Sequence, residues 1–299
     1  MLRSPITWFG GKGNIVRWLL KYVPEHDYYL EVFGGGASLL FTKPKAKHEV
    51  YNDIDKGLFT MFSVIRDPKK FKKFLKLAWL TPYSRNEYNY LREKLKNDDF
   101  KDEVEKAYAF WYVARASFSG EFCKSISMSL TKSDRSFPST VSRYLSALEM
   151  LPLIHKRLMA VQIECLDFRE CIERYVGAWD YDNSYCYLDP PYVKSARKKG
   201  GYNHEMTDND HHDLVDLLIK YENKCKFMLS GYPNGIYRRL EDRGWRKISR
   251  TFACFAIGRT RSTGILGDDT LRSNPEHLRE ETLWINYDPA PTQIKLFSS

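Results

Sequence analysis

Apolar and polar positions along this 299-residue chain alternate between two regimes. In the first, a short apolar run stops at glycine or aspartate and is followed by apolar residues three and four apart, the mark of a strand feeding a helix. "YYLEVF", residues 28–33, stops at Gly34, Gly35 and Gly36 and continues into "ASLLF"; "HEVYN" runs to Asp53 and into "KGLFTMFSVI". Two such steps in succession predict a parallel sheet. From about Asp67 to Leu158 the second regime takes over, with "KKFKKFLKLAWL", "RNEYNYLREKL" and "EKAYAFWYVARASF" reading as helices, interrupted by "SGEFCKSISMSLTKSDRSFPST". The first regime then resumes through "MAVQIECLD", "FRECIERY", the strand before Asp189, "DNDHHDLVDLLIKY", "CKFMLSGY" and "ETLWINY". The pattern predicts an α/β fold, a Rossmann-like sheet formed by residues 1–66 and 159–299 with a mostly helical insertion at 67–158.

Composition changes this picture in three ways. A 43% hydrophobic content at this length allows a real core, so disorder is not the expectation. No stretch approaches the roughly 18 consecutive apolar residues of a membrane span, and "MLRSPITWFGGKGN" lacks the apolar core of a signal peptide, so a soluble intracellular protein is expected. Cys123, Cys165, Cys171, Cys186, Cys225 and Cys254 are scattered without a CxxC pair or a histidine at zinc-ligand spacing, which predicts reduced core thiols and no structural metal. The net charge of +9 gathers in "KSARKKGG", "RRLEDRGWRKISR" and "RTRS", a distribution that suits a polyanion.

Two stretches carry candidate chemistry. Gly34, Gly35 and Gly36 end a strand where a ligand in a parallel sheet is met by the backbone, and Asp53, nineteen residues after Gly34, ends the next strand, where a carboxylate can hold ribose hydroxyls. A nucleoside-containing cofactor is expected there, although neither GxGxxG nor a phosphate loop is spelled. "DPPY", Asp189–Tyr192, follows a third strand. Pro190 and Pro191 fix the loop and remove donors, leaving the Pro190 carbonyl as an acceptor. An exocyclic aromatic amine is a poor nucleophile until its hydrogens are held. Asp189 and that carbonyl could hold both, while Tyr192 offers an open face on which an extruded base stacks.

In these and further stretches the sequence resembles the D12 class of Dam-like DNA adenine N6-methyltransferases. The matching stretches are "WFGGKGNI", "LEVFGGGASLLF", "YNDID", "SFSG", "IECLDF", "YLDPPY", "YNHEM", "LSGY" and "ETLWINY". The resemblance implies an S-adenosylmethionine-dependent methyltransferase sheet with an inserted target-recognition domain. By it Trp8 and Lys12 pack on the cofactor, Phe33, Gly34 and Gly36 lie under its methionine moiety, Asp53 binds its ribose, and Asp167 and Phe168 meet its adenine. Asp189, Pro190, Pro191 and Tyr192 form the catalytic loop. It also implies double-stranded DNA as partner, no metal, and a cytoplasmic enzyme of prokaryotic or phage origin.

Candidate DNA contacts are Arg115, Lys124, Lys132, Arg135 and Arg143 in the insertion and Lys194, Arg197, Lys198 and Lys199 beside the catalytic loop. "SGEF" is similar to the family's DNA-reading hairpin, but the residues after it depart from the pattern, so the recognition sequence stays open. Three alternatives also stay open: methylation of cytosine N4, a DNA-binding relative without turnover, and a nucleotide-dependent oxidoreductase, whose glycine fingerprint is missing.

Overall fold

The computed structural model describes residues 1–129, 137–196, 204–253 and 278–289. Its strands are β1 (Tyr28–Glu31), β2 (His48–Asn52), β3 (Val161–Glu164), β4 (Ser184–Leu188), β5 (Lys226–Gly231), β6 (Arg246–Ala253) and β7 (Leu278–Ile285). Its helices are α1 (Val16–Leu19), α2 (Ser38–Thr42), α3 (Lys56–Arg66), α4 (Pro68–Leu80), α5 (Arg85–Asn97), α6 (Glu103–Ala116), α7 (Ser139–Leu158), α8 (Phe168–Val176), α9 (Asp208–Lys220) and α10 (Arg238–Asp242).

The strands form one sheet in the order β3-β2-β1-β4-β5-β7-β6. β1 to β5 are parallel, and β7 runs antiparallel between β5 and β6. The order reverses between β1 and β4, which pair with Leu30 opposite Cys186. A crevice opens outside the strand ends at such a reversal.

Side chains alternate between the two faces with the period of a strand. Tyr29, Tyr185, Tyr187 and Met228 enter one core, whereas Leu30, Cys186, Leu188, Phe227 and Leu229 enter the other, which α8 and α9 cover. The first core is continuous with the helical block. α6 is buried on nearly every side, and its Trp111 joins Phe62 of α3 and Phe74 of α4 in the same cluster as Tyr29. A helix apolar all round is an interior helix, and α6 occupies that position in the block between β2 and β3.

Caps fix where the chain turns. Asp55 accepts from the Gly57 and Leu58 amides at the start of α3, and Asp67 caps α4 ahead of Pro68. Thr207 and Asp210 form a reciprocal capping box on α9. β6 was not among the predicted strands, because "RKISR" reads as basic surface. It is the edge strand, where exposed charge guards against further pairing.

Candidate active site

Three strands deliver the site. Beyond β1, Gly34 donates its amide to the Asn52 carbonyl at 2.8 Å and Gly35 donates to Asp53 Oδ2 at 2.7 Å. Asp53 Oδ1 accepts from the Asp55 amide at 2.8 Å, so this one carboxylate ties the glycine turn to the end of β2. Asn52 extends the tie to the third strand: its Nδ2 donates to the Val32 and Leu166 carbonyls and its Oδ1 accepts from the Leu166 amide.

The glycines are also required by the protein's own packing. A Cβ on Gly34 would lie 2.1 Å from the buried Tyr51 ring, and one on Gly36 would lie 2.9 Å from Ser4 Oγ. Gly35 has φ +48 and its Cβ would press on Trp8 Cδ1 at 3.0 Å. The turn is glycine-rich because the protein's own side chains close on it, while its other surface faces the pocket.

That pocket is lined by Trp8, Phe9, Gly10, Gly11, Lys12, Glu31, Phe33, Gly34, Gly35, Gly36, Ser38, Leu39, Asp53, Ile54, Asp55, Tyr187, Asp189, Pro191 and His204. The chain thus brings Trp8, Lys12, Phe33, Gly34, Gly36, Asp53, Asp189 and Pro191 to one place. Asp167, Phe168, Pro190 and Tyr192 do not line it. Asp167 caps α8 and pairs with Arg169, whose guanidinium lies 4.3 Å from the Phe168 ring centroid, and Phe168 in turn reaches the pocket wall by packing on Phe33 at 5.7 Å.

Lys12 is buried, and its Nζ lies 2.7 Å from Asp189 Oδ1. Contact at this distance is a buried, charge-assisted pair, and the Tyr192 hydroxyl also reaches the same carboxylate. Burial pushes the Asp189 carboxyl up to about 6; Lys12 opposes that shift and Glu281 adds to it. For Lys12 burial pulls the other way, but Asp189 and Glu281 outweigh it and the ammonium is held above its usual range. Burial likewise raises Asp53 to about 6, against the two amides that it accepts.

Tyr192 is not in the open as the sequence suggested. It is 5% exposed, with the Lys12 ammonium 4.8 Å over its ring, Tyr232 edge-on at 4.6 Å, and its hydroxyl donating to Glu281 Oε2 at 2.7 Å. The loop folds its tyrosine inward because a cation, an aromatic edge and a carboxylate all meet it there. Pro190 is buried beside it.

Sequence reasoning missed Glu31, Asp55, His204 and Glu281. Glu31 ends β1 and accepts from the Tyr29 hydroxyl and the Leu40 amide; burial, partly offset by these bonds, raises it to about 8. An acid directly before "VFGGG" was a readable signal. His204 Nε2 stands 3.7 Å from Asp55 Oδ2 across the pocket mouth, a contact between distant segments that no local pattern announces.

The fold and this site have relatives. Residues 8–257 match the model of the D12 class N6 adenine-specific DNA methyltransferases. The chain belongs to that family. A DNA N-6-adenine-methyltransferase of Escherichia phage P1 is 25% identical over 255 residues, covering 82% of this chain; the chain spans only 32% of that relative's length. A DNA adenine methylase of Vibrio cholerae is 24% identical over 276 residues, covering 88% of this chain and 95% of the relative. The sheet order with its antiparallel β7 accords with a methyltransferase fold.

In this methyltransferase the expected DNA contacts divide. Arg115 and Arg143 come together at the junction of α6 and α7, where Arg115 Nη2 donates to the Arg143 carbonyl at 2.7 Å. Burial, then the charges of Arg143 and Arg3, lower Arg115 to about 10, so three guanidinium groups share one region. Lys124 instead pairs with Glu121 at 3.3 Å within the turn after Gly120, and Lys194 is exposed after the catalytic loop. Lys132, Arg135, Arg197, Lys198 and Lys199 lie outside the described residues, as does Cys254. Cys171, Cys186 and Cys225 are buried free thiols; Cys123 and Cys165 are free but only half-buried, not core as expected. Among the described residues no group of three or more His, Cys, Asp or Glu is placed to hold a metal, and no helix is long and apolar enough to cross a membrane.

Proposed function

We propose that this member of the N6 adenine-specific DNA methyltransferases takes its methyl group from S-adenosylmethionine and places it on an adenine extruded from double-stranded DNA, in the cytoplasm of a prokaryotic host. The observation that carries the reading is the meeting of Asp189, held by Lys12, with the glycine turn and Asp53 in one pocket. The residues fit that cofactor. Asp53 and Asp189 present carboxylates to a cationic ligand, Phe33 supplies an apolar wall, and the carboxylate of Asp53 suits ribose hydroxyls. Bound there, S-adenosylmethionine would supply an electrophilic methyl carbon.

The remaining work falls to the chain. The Asp189 carboxylate and the Pro190 carbonyl hold the two hydrogens of the target amine, which localises its lone pair as the nitrogen turns tetrahedral. Lys12 keeps Asp189 ionised against its burial. Tyr192 supplies the surface on which the base stacks, and to do so it must exchange its contact with the Lys12 ammonium for the base. Residues 67–158 act as the target-recognition region, with Arg115 and Arg143 meeting phosphates and Lys124 and Lys194 at the margin.

The test is to incubate the protein with unmethylated plasmid and S-adenosylmethionine, digest the DNA to nucleosides and measure N6-methyladenine and N4-methylcytosine separately by mass spectrometry. N6-methyladenine is the expected product. N4-methylcytosine would move the acceptor, and neither product would leave a DNA-binding relative without turnover.

A further inference from the structure

The closing stretch "ETLWINY" begins at Glu281 on β7, beyond residue 257 where the family match ends. β7 threads between β5 and β6, with Glu281 opposite Arg250 and the next residue, Thr282, opposite Gly231 at the end of β5. This register holds the Glu281 carboxylate over the catalytic loop, where Oε2 accepts from the Tyr192 hydroxyl at 2.7 Å. Around that bond the charges alternate. Lys12 lies over the Tyr192 ring and pairs with Asp189, and the Glu281 carboxylate also acts on the same ammonium.

A loop tyrosine is free to turn about two side-chain torsions unless something holds its far end. The edge contact with Tyr232 limits the ring tilt, and the bond to Glu281, with the Asp189 carboxylate also in reach of the hydroxyl, sets where that hydroxyl lies. We propose that Glu281 is a positioning residue for the methyl-transfer reaction: it anchors the Tyr192 hydroxyl to the sheet and so sets the plane on which the target base lies. The assignment rests on the reading of Tyr192 as the base platform. Glu281 itself touches neither the base nor the donor; it acts through Tyr192, and displacement of such a platform by a fraction of an ångström is enough to slow transfer.

A mutant cycle on the full-length protein tests this, with unmethylated plasmid as substrate, saturating S-adenosylmethionine, and cofactor affinity read by calorimetry. Glu281→Ala is expected to lower kcat about tenfold while the cofactor dissociation constant and the KM for DNA stay within about twofold. Glu281→Gln, which keeps an acceptor oxygen, restores most of the rate. In a Tyr192→Phe background Glu281→Ala then costs less than about twofold, because the bond is already absent. If the full loss persists in that background, Glu281 acts elsewhere and the assignment is wrong. Loss of cofactor affinity with unchanged kcat would also overturn it. Tyr192→Ala separates the two levels: unchanged kcat in that variant would remove the platform itself, whereas lost activity there with additive Glu281 effects would leave the platform standing and remove only its anchor.

Discussion

Lys12 and Asp189 meet at 2.7 Å although one precedes the first strand and the other follows the fourth. If Asp189 holds the target amine as proposed, the pair would set the working pH range. Asp189 is the stronger acceptor when ionised, and burial pushes its carboxyl up to about 6, so turnover is expected to fall as pH drops through that value. Lys12→Met removes the opposing charge, which raises the Asp189 carboxyl further and moves the acid limb of the pH–rate profile upward by about one to three units. A profile of kcat from pH 5 to 9 on both proteins checks the direction; an unmoved limb would show that another group controls it. Asp189→Ala should abolish turnover while leaving cofactor affinity within a few-fold.

The contact of Gly34 with Tyr51 gives a stability prediction. Gly34→Ala puts a methyl 2.1 Å from a ring that is itself 1% exposed, and the resulting overpacking should destabilise the fold by about 1–3 kcal/mol. Gly13→Ala, where an added Cβ meets nothing within 4 Å, is the matched control and should melt like the parent. Thermal unfolding of the two variants side by side gives the comparison.

Asp53 accepts two backbone amides and faces the pocket, so its loss acts on the glycine turn as well as on any ligand. Asp53→Ala is expected to weaken S-adenosylmethionine binding by roughly 10–100-fold, the range for losing charge-assisted hydrogen bonds, with a smaller change in DNA affinity. Calorimetry with cofactor and fluorescence titration with duplex separate the two. The reverse order would place Asp53 in the DNA site.

Arg115 and Arg143 lie close enough to lower the Arg115 guanidinium. Alanine at either position should weaken binding to duplexes of any sequence and reduce the slope of log affinity against log salt by about one for each phosphate left without its arginine. Measured between 50 and 200 mM salt, an unchanged slope would remove these arginines from the interface. Lys124→Ala, already paired with Glu121, should change the slope less.

Strand and helix order was readable in the sequence wherever an apolar run ended on a turn residue, as at Gly34, Asp53 and Asp189, because period and punctuation are local. β6 was hidden because its basic residues suit an edge as well as they suit a loop. Asp53 and Asp189 could be singled out from sequence for the same local reason: each stands directly after a strand that points at the crevice. Glu281 could not, since its value depends on β7 inserting between β5 and β6, an event decided by tertiary pairing. The inward turn of Tyr192 was equally invisible, for it depends on Lys12 arriving from the other end of the chain.

Trp8 carries one more consequence. Its ring limits Gly35, its backbone closes on Gly120 in the turn after α6, and it packs on Phe110 and Phe122 at 5.7 Å each. The glycine turn beside the pocket and the turn after α6, in the proposed recognition region, therefore share a single wedge. Were a shift of that wedge to couple the two ligands, the factor would be reciprocal: however much cofactor tightened the grip on DNA, DNA would tighten the grip on cofactor equally.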